Sequence, residues 1–320
     1  MIMIRRRAFA ALGAAPLASP ALAQDFPSRP IQFVIPWPPG GRTDIAVRLL
    51  APYLQRELGQ PVVVINRGGG GGLTGMAYIR SAPPDGHTIS SGGIALSSMQ
   101  YERQTDLTLW DFTWFARIYS TPMVLAVPAA SPFRDLGSLI EFARANPERL
   151  FHGNSGTGSS THLASEALAR RYGFRVTQVP YTGEGPAVVG LATGSVQMSL
   201  GLMVAFRPMV QDGRLRVLAV AGPERDALAG DVPTFREAGF DFNYMAFEAL
   251  HVPNGVPEPI LTRLSRAAQA ALTDSTLAER FNGVGLNLSY MDGPNFTAWL
   301  RGWDVEMRSL VQDLGMMARR

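Results

Sequence analysis

The chain has 320 residues with a formal net charge of +3, and it contains no cysteine. The absence of thiols excludes disulfides, cysteine nucleophiles and cysteine-ligated metal sites. The length is sufficient for a large buried core and favours two domains over one.

The first 23 residues have the pattern of a secretory signal peptide. A basic stretch, "MIMIRRR", precedes an apolar segment rich in small residues that ends in Ala-Leu-Ala. The segment is short and interrupted by prolines, so it predicts a leader cleaved after Ala23 and not a membrane-spanning helix. Both the general and the twin-arginine export routes remain open. Because the leader is an export signal and not a spanning helix, we expect the mature chain to be periplasmic and not inserted into the membrane. Cleavage also removes three arginines and leaves a net charge of zero, so we expect no binding of nucleic acid.

The first half of the mature chain alternates strand and helix signals. Ile31–Ile35 is a continuous apolar run typical of a buried parallel strand, and "PWPPGGRTD" follows it. Asp44 is placed to cap the next helix, which Pro52 is expected to interrupt. Pro61–Asn66 predicts a second buried strand, followed by the loop "RGGGGGLTG", the short helix "MAYIRSA" and a turn and strand in "PPDGHTISSGG".

The second half continues the alternation. Thr121–Pro128 predicts a strand and Leu136–Pro147 an amphipathic helix, and "RLFHGNSGTGSSTHLASEALARRYG" reads as strand, Gly/Ser loop and helix. Strands are also predicted in "FRVTQVP" and "GRLRVLAVAG", and a helix followed by a strand in "GPAVVGLATGSVQMSL". Pro257–Leu272 and Asn295–Gly315 have helical periodicity. The alternation indicates an α/β fold with parallel sheets.

The glycine-rich loop matches a dinucleotide-binding pattern only in part. Residues 70–75 satisfy G-x-G-x-x-G between a predicted strand and helix. A dinucleotide fingerprint also needs an acidic residue at the end of the next strand, and "ISSGG" has none. The loop is therefore interpreted as flexible or anion-facing.

A second loop carries residue types found in serine hydrolases. Ser155, Ser159, His162 and Glu166 lie in or just after "GNSGTGSSTH", but G-x-S-x-G is absent because Thr157 occupies the position of the final glycine. His162 and Glu166 are four residues apart on one predicted helix, a spacing that favours contact with each other over a catalytic triad. An exported α/β hydrolase or isomerase remains the alternative function.

Two strand–loop–helix turns have the composition of anion sites. A Gly/Ser loop that enters a helix presents unsatisfied backbone N–H groups and the positive end of the helix dipole. "PWPPGGRTD" and "GNSGTGSSTH" both have this form, and Ser155, Ser159, Ser160 and Thr161 add hydroxyl donors. Two ordinary βα turns would also fit. Two such turns suggest two lobes that face one anionic ligand.

The sequence as a whole resembles the Bug family of periplasmic substrate-binding proteins of tripartite tricarboxylate transporters. The similarity lies in residues 26–89, from "FPSRPIQFVIPWPPGGRTD" to "PPDGHTI", and in "NSGTGSSTHLASEAL", "VPYTGEGPAVVGLATGSV", "GRLRVLAVAGPER" and "DVPTFREAGF". It implies a two-lobed α/β Venus-flytrap fold with two crossovers, near Thr121–Val127 and Ala246–Val252. Residues 24–122 with 247–320 would form the first lobe, and residues 123–246 the second.

The resemblance also implies a function and a site. We expect a non-enzymatic protein, without cofactor or metal, that captures a small carboxylate and delivers it to the membrane subunits of such a transporter. The residues carried over by position are Gly40, Gly41, Thr43 and Asp44 in the first loop, Gly71, Gly72 and Gly75 on the first-lobe side, Ser155, Gly156, Thr157, Gly158, Ser159, Thr161 and His162 in the second-lobe loop, and Tyr181 and Gly183 beside it.

Three positions depart from the family pattern. Leu73, Thr182 and Gly201 stand where a polar, a basic and an acidic residue are common in the family. Trp37 and Met203 would then provide an apolar wall. The sequence therefore predicts a neutral site without an arginine clamp, and a preference for apolar or aromatic carboxylates over amino acids and citrate.

Overall fold

The computed structural model describes residues 26–318, so the predicted signal peptide lies outside the described residues. The strands in this range are β1 (Ile31–Ile35), β2 (Val62–Asn66), β3 (Thr88–Gly93), β4 (Phe112–Pro128), β5 (Phe151–Asn154), β6 (Thr177–Pro180), β7 (Ser199–Leu202), β8 (Leu215–Ala221), β9 (Met245–Pro253) and β10 (Leu288–Asp292). The helices are α1 (Arg42–Leu58), α2 (Leu73–Arg80), α3 (Ile94–Glu102), α4 (Leu136–Ala145), α5 (Ser160–Tyr172), α6 (Glu184–Ala192), α7 (Met203–Gln211), α8 (Glu258–Leu272), α9 (Ser275–Gly283) and α10 (Gly293–Asp313).

The strands form two α/β lobes that share β4. In the first lobe the sheet order is β10-β4-β9-β3-β1-β2. Only β1 pairs in parallel there, with β2 and β3, whereas β9 and β10 run antiparallel to their neighbours. The expectation of parallel sheets is therefore corrected to mixed sheets, because the returning strand β9 enters between β3 and β4.

The second half of β4 belongs to the second lobe. Residues before Met123 pair with β9 and β10, and residues from Met123 onward pair with β7 and β8. Pro122, which has no backbone N–H, lies where the partners change. The chain returns between β8 and β9, where the Tyr244 N–H donates to the Ala221 carbonyl at 2.9 Å. The chain thus crosses between the lobes twice.

Three sequence expectations need correction. Helix α1 runs unbroken through Pro52, whose ring lies on an exposed face. β2 is an edge strand with half-exposed side chains, not a buried one. β4 begins at Phe112, nine residues before the predicted strand. Its first half is mostly apolar and buried, with half-buried polar residues at Thr113, Arg117 and Ser120.

The core of the first lobe lies between its sheet and the flanking helices. Phe33, Leu50 and Leu54 are fully buried between β1 and α1, and Phe296 and Leu300 bury one face of α10. Each buried side chain of this size contributes about 1.5–3 kcal/mol relative to an exposed one. A separate cluster that includes Met203 and Phe206 packs α7 in the second lobe. Within residues 26–318, none of the helices is long and apolar enough to cross a membrane.

Candidate functional site

A cavity of about 440 Å³ opens between the two lobes. The first lobe contributes the turn between β1 and α1, the start of α3, one residue of β4 and the start of β9, and the second lobe contributes the turn between β5 and α5. The lining residues are Trp37, Pro38, Pro39, Gly41, Arg42, Thr43, Asp44, Gly93, Ile94, Ala95, Tyr119, Ser155, Ser159, Ser160, Ala246, Phe247 and Glu248. Its volume is in the range of small-molecule sites.

Three helices begin at this cavity. Arg42, Ile94 and Ser160 are the first residues of α1, α3 and α5, and each lines the cavity. The first turn of a helix carries unsatisfied N–H groups and partial positive charge. Within the described range, no side chain caps the N-terminus of α1 or α3. The cavity therefore offers backbone donors to an anion from both lobes.

The first-lobe turn is held by Asp44, but not from the N-cap position. The N-cap of α1 is Gly41, and Asp44 is the third helical residue. Its carboxylate accepts hydrogen bonds from the Gly40 N–H at 3.0 Å and from the Arg48 Nε at 3.0 Å. The Arg48 bond is the main reason why the pKa of Asp44 falls to about 2. Asp44 thus fixes the turn by reaching back over it.

Trp37 connects this turn to the glycine-rich loop. A Cβ atom at Gly72 would lie 2.5 Å from the Trp37 ring, and Gly72 has φ +101°. Only glycine permits both the approach and the backbone conformation. Gly71 packs against the Arg103 guanidinium, and Gly75 lies in α2 against Pro36. These glycines support the wall of the cavity from behind and do not line it.

The second-lobe turn is organised around Thr161. Its Oγ1 accepts a hydrogen bond from the Ser155 N–H at 2.9 Å and lies 3.0 Å from both the Ser155 and Ser159 hydroxyls. The Ser159 hydroxyl also accepts from the His162 N–H and so caps α5. Asn154 Oδ1 accepts from the Gly156 N–H at 3.0 Å. The side chain of Thr161 is buried, whereas Ser155 and Ser159 reach the cavity.

The histidine of this turn has a structural environment. His162 Nδ1 accepts a hydrogen bond from the Gly158 N–H at 3.1 Å, and Nε2 lies 3.9 Å from Glu166 Oε1. Neither ring nitrogen bonds a serine hydroxyl among the described residues. With Nδ1 occupied by a donor, Nε2 carries the proton and faces the Glu166 carboxylate. The ring is therefore not arranged as a general base for Ser155 or Ser159.

The sequence interpretation missed two charged side chains in the cavity wall. Arg42 and Glu248, here called the charged wall, both line the cavity. Glu248 is 5% exposed, and its Oε2 accepts from the Thr43 hydroxyl at 3.2 Å. Its Oε1 and the Arg42 Nη1 are enclosed and have no hydrogen-bond partner in residues 26–318. The cavity wall therefore contains two charged side chains where the sequence predicted a neutral surface.

Burial dominates the electrostatics of Glu248. It raises the pKa of this carboxyl to about 7, although Ser91, Thr43, Arg42 and Tyr119 act in the opposite direction. Burial alone would lower the pKa of Arg42, but Tyr119, Glu184 and Glu248 together raise it. Arg42 therefore stays cationic inside the cavity.

Glu184 accounts for the glycine at position 201. This residue begins α6, and its Oε1 accepts from the Leu202 N–H at 2.9 Å. A side chain at Gly201 would clash with that oxygen. The second lobe therefore has a carboxylate beside Gly201, although neither residue lines the cavity.

The other predicted residues divide into two groups. Those that line the cavity are Trp37, Gly41, Thr43, Asp44, Ser155 and Ser159. Those that lie outside its lining are Gly40, Gly71, Gly72, Gly75, Gly156, Thr157, Gly158, Thr161, His162, Tyr181, Gly183, Gly201 and Met203. Tyr181 packs against Gly190, and Met203 is buried in the core of the second lobe, so it forms no wall of the cavity.

One sequence signal could have indicated Glu248. It is the single charged residue in the otherwise apolar run "MAFEALHVP" of β9. An acidic residue within a buried strand is uncommon unless it is paired or functional. Arg42 gives a weaker signal, because an arginine at the start of a helix reads as an ordinary solvated side chain.

The chain matches one family model and several curated proteins. The model of the "Tripartite tricarboxylate transporter family receptor" matches residues 46–316. A protein encoded in the tcbD-tcbE intergenic region of Pseudomonas sp. (strain P51) is 36% identical over 289 residues, covering 88% of this chain and 86% of that protein. Protein BugT of Bordetella pertussis is 33% identical over 279 residues, covering 86% of each chain.

Solved structures share the fold over nearly the whole length. A TctC solute-binding protein from Polaromonas has a TM-score of 0.80 at 26% identity, covering 90% of this chain and 99% of the other. MatC from Rhodopseudomonas palustris with bound malate gives 0.73 at 29% identity, covering 89% and 100%. A second R. palustris protein, with adipate, gives 0.76 at 28% identity, covering 91% and 99%.

Proposed function

Because the chain belongs to the tripartite tricarboxylate transporter receptor family, we propose that it captures a small carboxylate between its lobes and delivers it to the membrane subunits of such a transporter. The family and its solved structures consist of periplasmic solute-binding receptors, and the chain is such a receptor and not an enzyme. The ligand class and the delivery step are the proposed part.

The convergence of three helix N-termini on the cavity carries the proposal. α1 and α3 from the first lobe and α5 from the second begin at its wall. Donors from both lobes that meet at one anion stabilise the closed arrangement of the lobes over the open one, because only the closed arrangement satisfies the anion on both sides. The malate and adipate of the two R. palustris structures are small carboxylates of the kind that such a site would bind.

The proposal extends to the organisation of the chain. Residues 1–23 would be a signal peptide cleaved after Ala23. Residues 24–122 with 247–320 would form the first lobe, and residues 123–246 the second. The change of β4 partners at Met123 supports the first boundary, and the start of β9 at Met245 supports the second.

Ligand binding tests the proposal directly. The protein is unfolded and refolded to remove any bound molecule, and thermal shifts are then measured with mono-, di- and tricarboxylates and with the corresponding alcohols and amides. Carboxylates should raise the midpoint and their uncharged counterparts should not. Equal shifts with the uncharged counterparts, or no shift with any carboxylate, would contradict the proposal. Native mass spectrometry of the protein as purified would identify a co-purified carboxylate.

A further inference from the structure

We propose that the charged wall selects a monocarboxylate that also carries a hydrogen-bond donor, with an amine as the strongest case. The carboxylate of the ligand would bind Arg42, and its donor group would bind Glu248. This inference rests on the proposed function and names the ligand class for the same cavity.

Glu248 supplies the acceptor for the donor group. Its side chain is 5% exposed, and its Oε2 accepts from the Thr43 hydroxyl at 3.2 Å and from the more distant Tyr119 hydroxyl at 3.5 Å. The Ser91 hydroxyl, itself without a geometric partner among the described residues, also acts on this carboxyl. The other oxygen, Oε1, is enclosed and unpartnered among the residues described. A buried carboxylate oxygen without a partner is costly, and a donor supplied by a ligand removes that cost. An apolar ligand would leave it in place.

Arg42 supplies the donor for the carboxylate. It is the first residue of α1, so its guanidinium reinforces the positive helix terminus at the same wall. Its Nη1 atom is enclosed and lacks a hydrogen-bond partner within residues 26–318. An arginine donor is suited to a carboxylate because its fork of N–H groups matches the two oxygens. One carboxylate at this position would satisfy both the side chain and the helix N-terminus.

The balance of charge disfavours a second carboxylate near the wall. Arg42 and Glu248 line the same cavity, and Glu184 of the second lobe is near enough to help raise the pKa of Arg42. Above its pKa of about 7, Glu248 is ionised, so one ligand carboxylate can pair with the guanidinium but a second would lie beside the Glu248 carboxylate. Like charges at close range in a partly buried site repel strongly. A cationic or neutral donor at that end of the ligand has the opposite effect.

The apolar side chains retain a role in this arrangement. Trp37, Ile94 and Phe247 line the same cavity and would pack against the carbon skeleton between the two polar ends. A ligand with an apolar carbon skeleton, as the sequence predicted, is therefore compatible with the charged wall. The predicted exclusion of amino acids is not compatible with it.

Matched ligand series test the selection. Calorimetry on refolded protein at pH 8, where Glu248 is ionised, compares propionate, butyrate and valerate with their ω-amino and ω-hydroxy derivatives and with succinate, glutarate and adipate. For at least one chain length, the ω-amino derivative should bind at least tenfold more tightly than the unsubstituted monocarboxylate, and at least tenfold more tightly than the dicarboxylate of similar length. The inference is overturned if plain carboxylates or dicarboxylates bind as tightly as the amino derivatives at every length.

Two variants assign the preference to the charged wall. Glu248→Gln should reduce the preference for the amino derivative over its parent at least tenfold, and Arg42→Gln should weaken both compounds by a similar factor, with partial recovery in Arg42→Lys. Glu279→Gln and Arg280→Gln are the controls, because both side chains are exposed on α9. An unchanged preference in Glu248→Gln refutes the inference while the proposed function stands. Failure of every carboxylate to bind refutes both.

Discussion

Replacement of Glu248 by glutamine should change how stability depends on pH. Burial raises the pKa of Glu248 to about 7 in the folded protein, against a reference of 4.5. At a pH between these two values, Glu248 is protonated in the folded protein but deprotonated in the unfolded chain. The stabilisation is fully present below pH 4.5 and is lost as the pH rises through 7.

The magnitude follows from the two pKa values. At about 1.4 kcal/mol per pKa unit, the free energy of unfolding of the native protein should fall by about 3.5 kcal/mol between these pH values because of this group. Glu248→Gln keeps the shape of the side chain and one acceptor oxygen but cannot titrate. The difference in free energy of unfolding between the variant and the native protein should therefore move in favour of the variant as the pH rises.

Urea unfolding provides the assay. Ligand-free native protein and variant are compared at intervals from pH 4.5 to 9, with tryptophan fluorescence and circular dichroism as independent probes. Arg42, Thr43, Ser91 and Tyr119 face the carboxyl in both proteins, so their contributions largely cancel in the comparison. Glu279→Gln, at an exposed site on α9, is the control for exchanging a carboxyl for an amide. A difference for Glu248→Gln that does not change with pH would refute the reasoning.

Three further substitutions test the turns around the cavity. Asp44→Ala should lower the free energy of unfolding by roughly 1–2 kcal/mol at neutral pH. This loss should vanish as the pH falls from 3.8 towards 2, because Arg48 and the Gly40 N–H lower the pKa of Asp44 in the folded protein. Urea titrations across this pH range check the prediction. Ser159→Ala removes the cap of α5 and should cost about 0.5–2 kcal/mol, measured in the same way; a loss in binding alone would mean that the hydroxyl serves only the ligand. Gly72→Ala should lower the free energy of unfolding by roughly 1–3 kcal/mol because alanine is strained at this positive φ. It should also shift the tryptophan fluorescence emission, because the added methyl group displaces the Trp37 ring. Unchanged stability and emission would contradict the close packing of Gly72 against Trp37.

Local patterns predicted the turns well and the charged wall not at all. The sequence of prolines, glycines and a following amphipathic run was enough to predict the turn between β1 and α1, because that information is contained in adjacent residues. Glu248 reaches the same turn only because β9 pairs with β3. This pairing brings Glu248 to Thr43, which lies 205 positions earlier in the chain and donates a hydrogen bond to it. No local pattern contains that proximity, so the chemistry of the cavity wall could not be predicted from the turns alone.

The misjudged strands have a similar origin. The apolar run of β2 predicted burial, but its place at the edge of the sheet leaves one side open, and sheet order is set by topology and not by composition. The first half of β4 was missed because its apolar residues are interrupted irregularly by polar ones, among them Arg117, and match no simple strand pattern. Their place in the sheet becomes evident only when β9 and β10 lie on either side of the strand.

The continuous strand β4 has a consequence for the inheritance and engineering of this protein. One uninterrupted strand of 17 residues is an interior strand of both sheets, and its pairing partners change at Met123. A chimera that exchanges a single lobe with that of a relative must cut through this strand and match its register on both sides of the cut. The two lobes are therefore not separable modules, and new specificities are more readily acquired by substitutions in the turns and walls of the cavity than by recombination of whole lobes.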